Sequence, residues 1–142
     1  MNIIEKSLEI ALRAYSGKKD KAGKTYILHP LRLMAKMQRE EEMSLALLHD
    51  VIEDSDISAE DLLAEGIPQN IVTAVQALTK QDDENYELFI ARVLENKLAA
   101  KVKKLDIEDN INILRLNSIS NKDLERIAKY HKAWQVLNNS MR

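Results

Sequence analysis

Apolar residues recur along this chain at intervals of three and four, the spacing that lines one face of an α-helix, and β-branched alternation is scarce. The pattern predicts a first helix over about 2–15, with Ile3, Ile4, Leu8, Ala11, Leu12 and Tyr15 on one side. A polar loop through Gly17 and Gly23 follows. Pro30 suits the first turn of a second helix, "HPLRLMAKMQ". A third helix carries "LALLHDVIEDS", positions 45–55, and ends near Ser55. Ser58 and Asp61 form a capping-box pair for a short fourth helix that stops at Gly66. Pro68 opens a fifth, "PQNIVTAVQALTK", and "ENYELFIARVLEN" is a sixth. "KLAAKVKKLDIEDNINILRL" reads as a long seventh, with Leu98, Val102, Leu105, Ile113 and Leu116 toward the core, and "NKDLERIAKYHKAWQVL" as a last. The expected fold is all-α, a bundle of about seven or eight helices in one domain over 1–142.

Composition narrows the function classes. The chain is 45% hydrophobic and 31% charged, which fits an ordered soluble domain. It contains no Cys, so disulfides and thiolate metal sites are excluded. The N-terminal segment is charged and amphipathic throughout, unlike a signal peptide, and no apolar run reaches the roughly 18 residues of a membrane span. A net charge of −2 argues against a broad nucleic-acid footprint. A cytoplasmic location is the expectation. The segment "GKKDKAGK", with Lys18, Lys19, Lys21 and Lys24, could still hold a small anion.

The third helix poses the chemical question. On a continuous helix with His49 at 0°, Glu53 lies near 40°, Asp50 near 100° and Asp54 near 140°, with the small Ala46 at about 60°. Apolar residues fill the rest of the circumference, so this arc faces either water or an internal cavity. Carboxylates in the C-terminal turn oppose the helix dipole and repel one another, and a bound cation would offset both. Imidazole plus carboxylate suits borderline divalent ions. His29, beside Pro30 at a loop-to-helix junction, is a second histidine of interest; His131, in "KYHKAW", reads as structural. On the seventh helix Asp106, Asp109 and Asn110 share neighbouring faces. The plain alternative points Glu108 and Asp109 at solvent and leaves Asn110 on the surface.

The stretches "DKAGKTYILHPLRL", "ALLHDVIEDS", "VQALTK" and "VKKLDIEDNINILRL" together resemble the HD phosphohydrolase superfamily. They look most like the hydrolase domain of the RelA/SpoT family and its single-domain small alarmone hydrolases. The resemblance implies a helical HD bundle around one divalent ion, Mn²⁺ by preference, held by His29, His49, Asp50 and Asp106. By position, Glu53 and Asp54 match an acidic pair for water orientation and proton transfer. Lys21 matches a phosphate contact, and Asn110 a polar residue near the nucleoside. The implied reaction, part of the stringent response, removes the 3′-pyrophosphate of guanosine tetra- or pentaphosphate or acts on a related phosphorylated nucleotide. The implied partner is therefore a small nucleotide, with neither nucleic acid nor membrane, and a homo-oligomer is compatible with it. A non-catalytic nucleotide-binding or sensor module on the same scaffold is the alternative. Departures lie around the nucleoside: Asp20 where an Arg is typical, Leu105 where Ala is usual, and Asn112 and Ile113 in place of Arg and Thr.

Overall fold

A computed structural model describes residues 1–141; the last residue of the expected domain, Arg142, lies outside the described residues. The chain folds as α1 (Ile3–Tyr15), α2 (Leu28–Ala35), α3 (Glu40–Leu48), α4 (Val51–Asp54), α5 (Ala59–Ala64), α6 (Gln69–Ala77), α7 (Tyr86–Leu94), α8 (Lys97–Asn110), a 3₁₀ turn (Ile113–Arg115) and α9 (Asn121–Ser140). No strand occurs among the described residues, and an isolated bridge pairs Lys19 with Thr25. No described helix is long and apolar enough to cross a membrane.

Side-chain caps start several of these helices. Asn2, Ser58 and Ser120 accept the third backbone N–H of α1, α5 and α9, and Glu5, Asp61 and Asp123 return the bond. Each such cap contributes about 1 kcal/mol. Gly66, at φ 93°, ends α5 in the left-handed region that favours glycine.

α3 is the axis of the bundle. Leu45, Ala46, Leu47 and Leu48 are all fully buried, because α1, α2, α6 and α8 pack around them. A helix enclosed on every side needs apolar residues on every side, which is what the leucine run supplies. On α1 the buried stripe is Ser7, Ile10, Ala11, Ala14 and Tyr15, with Ile3, Ile4 and Leu8 partly buried. Leu12, expected on that stripe, is instead 53% exposed.

The expected third helix is interrupted between Leu48 and Val51. His49 Nδ1 donates to the Ala46 carbonyl at 2.7 Å, and the Asp50 N–H turns to the Tyr15 hydroxyl at 3.1 Å. Ala46 would have been the helical acceptor for Asp50, so the side chains displace one rung of the ladder. The continuous-helix angles therefore do not carry past His49. The dipole argument changes too, since Glu53 and Asp54 belong to a new helical turn.

The seventh expected helix is shorter than its apolar spacing implied. It ends at Asn110, after which the Asn112 side chain accepts the Leu114 N–H and opens the 3₁₀ turn. Ile113 and Leu116 consequently lie outside the core cluster.

Candidate metal centre

Two helices and the α3–α4 break bring the candidate residues together. His29 arrives on the first turn of α2, His49 and Asp50 sit at the break, and Asp106 projects from α8. The His29 Nε2 lies 2.7 Å from Asp106 Oδ1. His49 Nε2 lies 3.2 Å from Asp50 Oδ2 and 3.3 Å from Asp106 Oδ1. The two imidazole rings meet edge to face with centroids 5.3 Å apart. One ligand atom from each of His29, His49 and Asp50 falls within 4.8 Å of the others.

Asp50, Asp106 and His29 are each held from behind. Asp50 accepts a short hydrogen bond from the Tyr26 hydroxyl through Oδ2. Tyr26 packs edge-on against Tyr15, with centroids 4.8 Å apart, and Tyr15 in turn takes the Asp50 N–H. Burial and the Asp50 charge push both phenols up, so they stay protonated. Asp106 accepts from Lys103 Nζ at 2.9 Å and from Asn110 Nδ2 at 3.1 Å. On the far side of His29, Nδ1 meets Asp109 Oδ2 at 2.5 Å. Asp109 also accepts Arg32 Nε and Nη2 at 2.8 and 2.9 Å and Arg115 Nη1 at 3.4 Å.

Electrostatics follow from this crowding. Burial pulls the histidines down, but their carboxylate neighbours outweigh it and raise both, His49 well above its ordinary value. Burial alone would raise Asp50 and Asp106; the adjacent cationic groups, His49 for the first and Lys103 for the second, hold both below the usual range. Glu53 and Asp54 go the other way: Glu53 is exposed and Asp54 half-buried, and partial desolvation together with the Asp50 charge raises both. Two carboxylate pairs with opposite shifts a turn apart can divide charge-holding from proton transfer.

The donor set fits a divalent cation. His49 Nε2 is buried without a hydrogen-bond partner, although carboxylate oxygens stand close by, out of line for a bond. Its ring is fixed by the Nδ1 bond to Ala46, which leaves Nε2 with its lone pair directed into the cluster once the ring is neutral. An unpaired buried nitrogen facing imidazole and carboxylate donors suits Mn²⁺, Fe²⁺ or Zn²⁺.

Beside the cluster opens a cavity of about 380 Å³ that Glu53, Asp54, Lys21, Arg126, Asn112 and Tyr130 help to line. Lys21 comes from the loop between α1 and α2. Asp20 shapes that loop: its Oδ1 accepts the N–H groups of Ala22 and Lys24, both at 2.9 Å. The residue that stands where an arginine is typical is thus engaged in turn formation. Asn110 is exposed at the cavity edge, and its amide reaches Asp106. His131 is exposed on α9 and takes no part.

Asp109 corrects the sequence reading, which had a solvent-facing alternative for it: only 4% of the residue is exposed. Its i, i+3 spacing from Asp106 was the available signal. Arg32, three residues after His29, carried the same signal. Lys103, three residues before Asp106 on α8, carried it too; Tyr15 and Arg115 had none, because their contacts join separate elements.

No protein-family profile matches the chain. A guanosine-3′,5′-bis(diphosphate) 3′-pyrophosphohydrolase of Aquifex aeolicus is 29% identical over 123 residues, covering 78% of this chain and 18% of that protein. The protein of that name from Vibrio cholerae is 29% identical over 126 residues, with the same two coverages. The chain therefore spans about a fifth of the length of these curated relatives. A solved structure described as a metazoan ortholog of SpoT that hydrolyzes ppGpp superposes with a TM-score of 0.75 at 21% identity, covering 96% of this chain and 85% of that one. That likeness establishes the fold as the all-α HD bundle.

Proposed function

We propose that this chain is a divalent-metal-dependent phosphohydrolase that removes the 3′-pyrophosphate of guanosine tetra- or pentaphosphate. The observation that carries the reading is the buried, unpartnered His49 Nε2, set among His29, Asp50 and Asp106 beside a cavity that His29 and Asp50 help to line. The names of the relatives supply the substrate class. His29, His49, Asp50 and Asp106 would hold the ion, with Mn²⁺ the ion of choice. A divalent cation bound there supplies Lewis acidity, drawing charge from a phosphoryl oxygen and acidifying water.

The remaining steps belong to the protein's own groups. Lys21 and Arg126 line the cavity and would neutralise phosphate oxygens as the nucleotide enters. Asn110 would face the nucleoside. The attacking water needs a base within hydrogen-bond reach, and Glu53 and Asp54 stand on the cavity wall in that role. Their raised pKa values make them better proton acceptors than ordinary carboxylates. Water oxygen bonds to the phosphorus attached at the 3′ oxygen, that P–O bond breaks, and pyrophosphate departs. One of the two carboxylates takes the proton from water, and the other, protonated beforehand, gives its proton to the 3′ oxygen as the P–O bond breaks.

The chain would act as a single domain in the cytoplasm, on a free nucleotide. Its test is a panel of phosphorylated nucleotides, guanosine tetraphosphate included, incubated with the protein and Mn²⁺, with pyrophosphate and phosphate measured separately. Pyrophosphate release from the guanosine tetraphosphate is expected. Saturable nucleotide binding without turnover on any member would replace the enzyme with a sensor module.

A further inference from the structure

We propose that Asp109 is a positioning residue that sets the His29 ring for metal binding, an assignment that rests on the metal reading above. His29 lies between two carboxylates from one face of α8, with Asp106 Oδ1 at 2.7 Å from Nε2 and Asp109 Oδ2 at 2.5 Å from Nδ1. An ionised carboxylate only accepts, so once a cation takes Nε2 the remaining ring proton sits on Nδ1 and is donated to Asp109. His49 reaches the same tautomer by another device, the Ala46 backbone carbonyl at 2.7 Å from its Nδ1. The two histidines are thus aimed alike, one by backbone and one by a carboxylate. A carboxylate partner also makes the imidazole a stronger donor.

Asp109 is itself held in place. Arg32 grips its carboxylate through two nitrogens at 2.8 and 2.9 Å, and Arg115 binds both its carboxylate and its backbone carbonyl. A buried carboxylate stands only when its charge is compensated; the His29 Nδ1–H bond shares that role with the two guanidinium groups, so their loss leaves one partner in place. Asp109 could instead be no more than a clamp joining α2, α8 and the 3₁₀ turn. The two roles differ in what Zn²⁺ affinity and the His29 proton do.

The experiment uses Zn²⁺ alone, which is diamagnetic, on ¹⁵N-histidine-labelled protein. Wild type, Asp109→Asn and Arg32→Gln/Arg115→Gln are compared by calorimetric titration and by the His29 Nδ1–H resonance of the loaded state. Asp109→Asn should weaken Zn²⁺ binding by about 10–100-fold and move that proton upfield, the scale expected for loss of an outer carboxylate. The double arginine variant breaks the clamp and keeps the carboxylate on His29, so its affinity should stay within about threefold of wild type, well inside that scale. If Asp109→Asn folds poorly, the same substitution is made in the double variant, where no arginine is left unpaired. The proposal is overturned by an unchanged affinity or an unmoved His29 proton in the Asp109 variant, or by an equal loss in the arginine variant. Wild-type protein that binds no Zn²⁺ overturns the metal reading, and the proposal with it.

Discussion

Replacing Lys103 by Met isolates the cation that the metal-free cluster depends on. The Lys103 side chain is 14% exposed and its Nζ lies 2.9 Å from Asp106 Oδ2, with the Phe89 ring centroid at 5.3 Å. Methionine keeps most of the apolar stem and removes the charge. Breaking a buried pair from one side destabilises by about 3–5 kcal/mol when the other charge is left alone. Asp106 is not left alone, because His29, His49 and Asn110 remain around it. About 2 kcal/mol is therefore the expected loss. At roughly 2 cal/mol/K per residue, unfolding entropy for a chain of this length converts that into a fall in Tm of about 7 °C. Thermal melts by circular dichroism in chelator, at pH 7, measure it. A second arm adds saturating Mn²⁺. Lys103 repels a cation bound at Asp106, so the variant should gain more from the metal than wild type and the gap should narrow. A loss below about 2 °C would show that the histidines and Asn110 suffice for Asp106, given the conversion above. A gap that widens with Mn²⁺ would refute the placement of the ion beside Asp106.

Two further outcomes follow from the same geometry. Glu53→Gln and Asp54→Asn should each retain metal binding and lose turnover by about 10²-fold or more, the scale of a lost acid–base group; turnover within twofold of wild type for both would remove the pair from the chemistry. Arg92 holds Glu84 down to about 2 through bonds at 2.8 and 2.9 Å. A depressed carboxylate stabilises the fold above its unfolded value and loses that contribution as pH falls toward its folded one. Glu84→Gln should therefore be less stable than wild type at pH 7, with the difference closing between about pH 4.5 and pH 2; urea melts that show a constant difference down to pH 3 would contradict this.

The helical fold was legible because apolar spacing and caps are local. The Ser58–Asp61 box opens α5 where its residue types place it, and Gly66 closes it. The helix break at His49 was not legible, because its cause is a competition between backbone and side-chain partners. The Ala46 carbonyl goes to an imidazole, and the Asp50 N–H goes to a tyrosine 35 positions away. The end of α8 was misread for a related reason: Ile113 and Leu116 continue the helical apolar spacing, but Asn112 caps a 3₁₀ turn. His29, His49, Asp50 and Asp106, which the fold brings together, were named through the resemblance and through unlike residues clustering on an apolar helix. Asp109 escaped because a carboxylate among charged neighbours usually faces water. Only the approach of α2, with Arg32 and His29, gives it two reasons to be buried.

The central claim is that His29, His49, Asp50 and Asp106 bind a divalent ion that hydrolysis requires. Pyrophosphate release from guanosine tetraphosphate by chelator-treated protein, before and after Mn²⁺ is restored, and by Asp50→Ala in Mn²⁺, tests it most directly. Release is expected only from wild type with Mn²⁺ restored. Equal release by the chelated protein, or by Asp50→Ala, would contradict it.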